Sequence, residues 1–152
     1  MSPEIERKFR ASVLPADILK NCTSSTPIQQ GYLCVSKNAE VRIRKKGDQN
    51  FLTTKKGKGL SRLETEISIT DEQFQALWPA TEGSRIEKVR YHLPIAAHLM
   101  AEIDIFSGVN MGLILVEIEF PNEAVANEFI APDWFGIDVT TDVAYKNASL
   151  AK

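Results

Sequence analysis

Apolar and polar residues alternate in steps of two along most of the chain. VRIRKK (41–46), FLTTKK (51–56), SRLETEISI (61–69), RIEKVRYHL (85–93), AEIDIF (101–106) and LILVEIEF (113–120) each read as strands by this alternation and by their β-branched content. EIERKF (4–9) belongs with them, and QGYLCVS (30–36) is a weaker eighth segment. Turn signals at Lys46-Gly47-Asp48, Gly57-Lys58-Gly59, Ser107-Gly108 and Met111-Gly112 separate the segments, and connections this short favour antiparallel hairpins. Two stretches follow a helical period instead. DEQFQALWPA (71–80), capped by Thr70, puts Phe74, Leu77 and Trp78 on one side, and NEAVANEFI (122–130) starts at Asn122 after Pro121. Pro15 to Lys20 reads as a single short helical turn. The class is α+β with strands dominant, free of repeats, linkers and low-complexity segments.

Composition changes this picture little. A chain of 152 residues, 43% hydrophobic and 25% charged, is expected to be one soluble globular domain. A net charge of −2 gives no bulk attraction to nucleic acid or to an anionic membrane, so neither is expected as a partner. No apolar run approaches the roughly 20 residues of a membrane helix, and acidic residues stand where a signal peptide carries bases. Cys22 and Cys34 have no metal-knuckle or redox spacing and are expected as reduced thiols of a cytoplasmic protein. His92 and His98 have no partner at ligand spacing, which argues against soft-metal chemistry.

Charge placement matters more. Alternate side chains of a strand share a face, and collecting one face gives Glu4, Glu6, Lys8, Arg42, Arg44, Lys55, Arg62, Glu64, Glu66, Lys88, Arg90, Glu102, Asp104, Glu117 and Glu119, eight acids and seven bases. The residues between them are largely apolar. A half-exposed sheet accounts for any one such strand. It accounts poorly for the set, because the charges come as like-signed pairs roughly 6.6 Å apart along a strand, a spacing at which like charges repel. Two carboxylates suit a divalent cation, and two guanidiniums suit a phosphate chain. The helices' apolar stripes must cover the apolar face, and about eight strands can close into a barrel holding one small ligand. The expected result is a solvated, charge-lined barrel whose inner rows look at a ligand.

Glu4-Ile5-Glu6-Arg7-Lys8 is an ExExK, and RIR (42–44), Lys55, ETE (64–66), KVR (88–90), EID (102–104) and EIE (117–119) follow in order. In these motifs, spread over nearly its whole length, the chain resembles the CYTH superfamily, the triphosphate tunnel metalloenzymes, and most of all the short bacterial members that act as inorganic triphosphatases. The resemblance implies one CYTH-type domain over residues 1–152. It further implies an eight-stranded antiparallel closed β-barrel, a tunnel with a charged lumen and a few helices outside, binding triphosphate with Mg²⁺ or Mn²⁺.

The resemblance also implies roles. Glu4, Glu6, Glu117 and Glu119 look like metal-binding acids, and Glu64, Glu66 and Asp104 like further ligands or, with Glu102, groups that orient the cations. Lys8, Arg42, Arg44, Lys55, Lys88 and Arg90 resemble a cradle for phosphate oxygens, with Arg62 as a further contact. Lys8, Tyr32, Glu117 and Glu119 are the catalytic candidates. Metal-activated water is favoured over Lys8 as base, since surrounding carboxylates favour its charged form. Tyr32 matches a tyrosine that relatives pair with the ExExK lysine, and reads equally well as a wall residue. Lys146, in Tyr145-Lys146-Asn147, matches a segment of short members at a tunnel mouth. Lys56 and Lys58 with their glycines read as a hairpin turn, since no GK[ST] follows.

The expected reaction is hydrolysis of inorganic tripolyphosphate to pyrophosphate and phosphate by water attack on a terminal phosphorus, by a monomer or homodimer. The alternatives are a class IV-type adenylate cyclase making cyclic AMP from ATP, a thiamine or nucleoside triphosphatase, and a non-catalytic polyphosphate-binding module. That module would keep the arginines without needing the acid pairs.

Overall fold

Each segment with the two-residue alternation forms a strand in the computed structural model, which describes residues 5–57, 63–96 and 98–152. The strands are β1 (Ile5–Ala11), β2 (Ser24–Val35), β3 (Ala39–Lys46), β4 (Gln49–Lys56), β5 (Leu63–Ile69), β6 (Arg85–Ile95), β7 (Leu99–Ser107) and β8 (Ile114–Phe120), followed by a two-residue β9 (Ile137–Asp138). Hydrogen bonding orders them β5-β4-β3-β2-β6-β7-β8-β1-β9. The ladders β1–β8, β1–β9, β2–β3, β3–β4, β4–β5 and β7–β8 are antiparallel. Among the described residues no ladder joins β5 to β9.

Two features of β2 differ from expectation. It begins at Ser24, ahead of QGYLCVS, because pairing supplies what the sequence Ser-Ser-Thr-Pro lacks in strand propensity; Thr23 N–H donates to the carbonyl of His92 on β6 at 2.8 Å. It also carries an irregularity: Tyr32 faces Arg42, but Cys34 faces Val41, so Leu33 is passed over.

The helices are α1 (Asp71–Leu77), α2 (Glu123–Glu128) and a short α3 (Asn147–Leu150), which the sequence pattern did not suggest. A capping box starts α1: Thr70 Oγ1 accepts from Gln73 N–H at 3.1 Å, and Gln73 Oε1 accepts from Thr70 N–H at 2.9 Å. Pro79 ends it, and residues Trp78–Thr81 tighten into a 3₁₀ turn. Asn122 Oδ1 caps α2 by accepting from Val125 N–H at 2.9 Å. The Pro15 to Lys20 segment turns without an α-helix and leads into a 3₁₀ turn at Leu19–Asn21. Among the described residues no helix is long and apolar enough to cross a membrane.

Contacts divide the chain into two compact units, with β2 and β6 running through both. The first comprises β1, the start of β2, most of β6, β7, β8, α2 and β9. Its core is the apolar set of strand positions, Phe9, Leu93, Ala101, Ile103, Val116, Ile118 and Phe120, covered by Ala126 of α2 and by Phe135. Phe135 meets Phe9 edge-on at 5.1 Å and Trp134 at 4.5 Å. Arg7 stands on this same covered face. Its Nη1 donates to the carbonyls of Ala126 and Phe129 at 3.0 and 2.9 Å, satisfying the C-terminal end of α2, and its Nη2 pairs with Asp138 at 3.0 Å. One side chain thus ties β1 to α2 and β9.

The second unit holds the rest of β2, β3, β4, β5, α1, the first residues of β6 and α3. Ile28, Ile43, Ile86 and Phe74 are among its buried apolar residues. Phe74 stacks on Trp78 at 5.2 Å, and the Arg85 guanidinium lies 4.3 Å from the Trp78 ring while donating to the Trp78 carbonyl at 2.8 Å. Fully buried Thr81 presses on the backbone of Gly31, where a Cβ would overlap its side chain.

Gly31→Ala should therefore destabilise the fold by about 1–3 kcal/mol through overpacking, read as a lower denaturant midpoint. The Asp138 carboxyl lies below its ordinary pKa: burial raises it, but hydrogen bonds from Thr140 and Arg7 outweigh that. A lowered pKa gives stability that is present above the ordinary carboxylate range and lost as pH falls through it. Asp138→Asn should lower the melting temperature at neutral pH, with the deficit shrinking below about pH 4.

Candidate active site

In the second unit, the face opposite α1 carries three cross-strand rows. Gln30 faces Arg44, which faces Phe51, which faces Ser68. Tyr32 faces Arg42, then Thr53, then Glu66. Glu40 faces Lys55, which faces Glu64. The like-signed pair Arg42 and Arg44 thus stands on β3, with the acids of β5 two strands away in register. Glu66 Oε2 lies 3.6 Å from Arg44 Nη2 and accepts from Thr53 Oγ1 at 2.9 Å; Glu64 Oε2 lies 4.0 Å from Lys55 Nζ. Glu64 and Glu66, expected as metal ligands or cation-orienting groups, are seated on cations.

Some donors here are buried and unmet. Gln30 Nε2 and Arg42 Nε have no hydrogen-bond partner among the described residues. Tyr32 is buried beside Arg42, and burial pushes its hydroxyl pKa up more than Arg42 pulls it down, so it is a neutral donor at ordinary pH. Lys88 on β6 is also buried in this unit.

In the first unit the acids gather. Glu117 on β8 stands between Lys8 of β1 and Glu102 of β7 in register, and pairs with Lys8 Nζ at 3.4 Å. One step along the same ladder, Glu6 faces Glu119. Arg90 closes the other end: it donates twice to the fully buried Asp104 at 2.8 Å and lies 2.7 Å from Glu102. Burial opposes the charge of Arg90, but Asp104, Glu102 and Glu117 outweigh it and raise its pKa, so it stays a cation at any ordinary pH. Asp104 therefore serves Arg90 here, and three of the guanidinium nitrogens of Arg90 are engaged by acids.

Lys8 is also fixed through its backbone, which donates to Thr140 Oγ1 at 3.0 Å and accepts from Val139 N–H at 2.8 Å. Asp138 in turn accepts from the Thr140 hydroxyl and amide, so the Arg7–Asp138 clamp also sets the edge on which Lys8 sits.

Among the described residues no three His, Cys, Asp or Glu side chains already stand as a metal site. The donor chemistry nonetheless fits a hard cation. Glu6 stands opposite Glu119 and Glu102 opposite Glu117 in register, and all-oxygen donor sets suit Mg²⁺ and Mn²⁺. Glu4 and Arg62, two of the expected site residues, lie outside the described residues. Lys146 is exposed and immediately precedes α3.

An inorganic triphosphatase of Nitrosomonas europaea is 46% identical over 149 residues, spanning 97% of this chain and 96% of the relative. A second inorganic triphosphatase, from Acetivibrio thermocellus, is 38% identical across 100% of this chain and 95% of its own. The chain belongs to the inorganic triphosphatase family of the CYTH superfamily. The solved structure of the inorganic triphosphatase NE1496 superposes with a TM-score of 0.82 at 42% identity, covering 99% of this chain and 95% of that one. A Hippeastrum adenylyl cyclase-like protein, 15% identical with a TM-score of 0.60 over 82% of this chain and 83% of its own, shares the fold. No protein-family model matches the chain.

Gln30, Glu40 and Thr53 of this CYTH chain are among the residues that share the ionic face without having been singled out by charge. Each obeys the alternation, standing two residues from Tyr32, Arg42 and Lys55 respectively. A search for like-signed charge pairs passes over a neutral amide, a neutral hydroxyl and an acid of the wrong sign.

Asp104→Asn would leave the Arg90 charge poorly compensated beside a buried amide. It should destabilise the protein by about 3–5 kcal/mol, the usual cost of breaking a buried pair, as measured by equilibrium unfolding.

Proposed function

We propose that this protein hydrolyses inorganic tripolyphosphate to pyrophosphate and phosphate, acting as one CYTH-type unit over residues 1–152. The observation that carries the reading is the sorting of like-signed pairs, guanidiniums on β3 and carboxylates on β1 and β8. Two relatives named inorganic triphosphatase, matched over nearly their full lengths, support it. The closed barrel implied by the family resemblance is part of the same reading, as are a cytoplasmic location and a monomer or homodimer; two free cysteines agree with a reducing compartment.

In this reading Arg42, Arg44, Lys55 and Lys88 bind phosphate oxygens, with Arg62 as a further contact. Glu66 and Glu64 hold Arg44 and Lys55 extended toward the substrate. Glu6, Glu117 and Glu119, with Glu4 of the same motif, would hold Mg²⁺ or Mn²⁺. Bound there, such an ion offsets phosphate charge and acidifies a water. Lys8, paired with Glu117, orients that carboxylate and meets the phosphate chain as an ammonium donor. Arg90 is a positioning residue for Glu102 and Glu117, since its guanidinium is already held by Asp104 and Glu102. Tyr32, neutral, offers a hydrogen-bonding hydroxyl and does not act as a base. The water oxygen bonds to the terminal phosphorus as the bridging P–O bond breaks, and pyrophosphate leaves in line.

A phosphate-release panel of tripolyphosphate, ATP, thiamine triphosphate and pyrophosphate, with Mg²⁺ and with Mn²⁺, tests the reading. Tripolyphosphate should be the best substrate, and cyclic AMP as the main product from ATP would replace the proposal with a cyclase. Glu117→Gln should cut turnover at least ~100-fold, the upper end of losses seen for groups around a metal, while tripolyphosphate binding persists. Full activity in that variant would remove Glu117 from the site.

A further inference from the structure

Gln30 lies on β2 opposite Arg44, and Tyr32, next on that face, lies opposite Arg42. Gln30 is 1% exposed and Arg42 9%. Gln30 Nε2 and Arg42 Nε are both without a hydrogen-bond partner among the described residues. Buried polar atoms are nearly always paired, and leaving one unpaired costs free energy. Two such atoms in adjacent rows of one ladder therefore have a common explanation. Both are N–H donors, and both stand beside guanidiniums. Whatever satisfies them brings more than one acceptor oxygen and a negative charge.

The residue type is informative as well. A third cation opposite Arg44 would repel Arg42 and Arg44 in the free protein. An acid here would pair with the arginines, as Glu66 does with Arg44 on the other side, and would itself repel an anion. An amide adds donors without adding charge. It is also shorter in reach and stiffer than a lysine, and here it is held in place by burial.

We propose that Gln30 is a phosphate-positioning residue: its side-chain amide donates to one phosphoryl oxygen of the triphosphate chain while Arg42 Nε donates to another. This rests on the triphosphate reading above and adds a neutral group to a cradle otherwise made of cations.

The test is Gln30→Leu, which keeps roughly the volume and removes the donors, with Gln30→Glu and Arg44→Ala alongside. Tripolyphosphate affinity is measured by calorimetry in EDTA, where turnover is suppressed. KM and kcat are measured with Mg²⁺, and melting temperature with and without ligand. Gln30→Leu should melt no lower than the parent protein when ligand-free, because an unmet buried donor has been removed. It should nevertheless bind tripolyphosphate about tenfold more weakly and raise KM by a similar factor, with kcat changed less than about twofold. Gln30→Glu, an acceptor beside an anion, should bind more weakly still. A purely structural glutamine would give the opposite pattern, a lower ligand-free melting temperature with affinity unchanged, and that result overturns the inference. If Arg44→Ala weakens binding but Gln30→Leu does not, the inference fails and the triphosphate reading stands. If the parent protein itself neither binds nor hydrolyses tripolyphosphate, the reading fails and takes the inference with it.

Discussion

Charged side chains set two apart on a strand share a face and lie close enough to repel when their signs agree, so each must be answered from a neighbouring strand or from a ligand. Antiparallel register decides which. On β3, Arg44 is answered by Glu66 from two strands away, and on β6, Arg90 is answered by Asp104 and Glu102 from β7. Where the answer is complete, as at the Arg90–Asp104 fork, the charges are structural and rigid. Where it is incomplete, at the unmet donors of Gln30 and Arg42, the face has chemistry left to offer.

The other face of the strands makes this possible. Burial of Phe9, Ile103, Val116 and Ile118 under α2, and of Ile43 in the unit covered by α1, leaves the ionic face clear of the helices. Arg7 shows how closely the two faces are coupled. It sits among apolar residues, caps the end of α2 and holds Asp138, and the Asp138–Thr140 turn then fixes the backbone of Lys8, its neighbour on the ionic side. A change on the greasy face would be felt one residue away on the chemical one.

Much of this architecture was legible in the residue pattern, and the misses have local causes. The eight long strands and the two capped helices follow from periods of two and 3.6 together with Thr70 and Asn122 as caps. The early start of β2 did not show, because Ser24, Ser25 and Pro27 lack strand propensity and the segment is extended by its cross-strand pairing. The two-residue β9 and the four-residue α3 are too short to carry a period. The bulge at Leu33 has no sequence mark, and the roles of Gln30 and Thr53 are hidden because neither carries charge.

Side-chain alternation is a property of the extended backbone itself, so the sequence alone determined which residues share a face: Lys8 with Glu6, Arg42 with Arg44, Glu117 with Glu119. Tertiary structure decided which of them are partnered. Register between strands far apart in the chain put Asp104 on Arg90, Glu117 on Lys8 and Glu66 on Arg44, and left Gln30 and Arg42 with donors to spare. Cross-strand distance is set by long-range pairing and its irregularities, which no local pattern encodes.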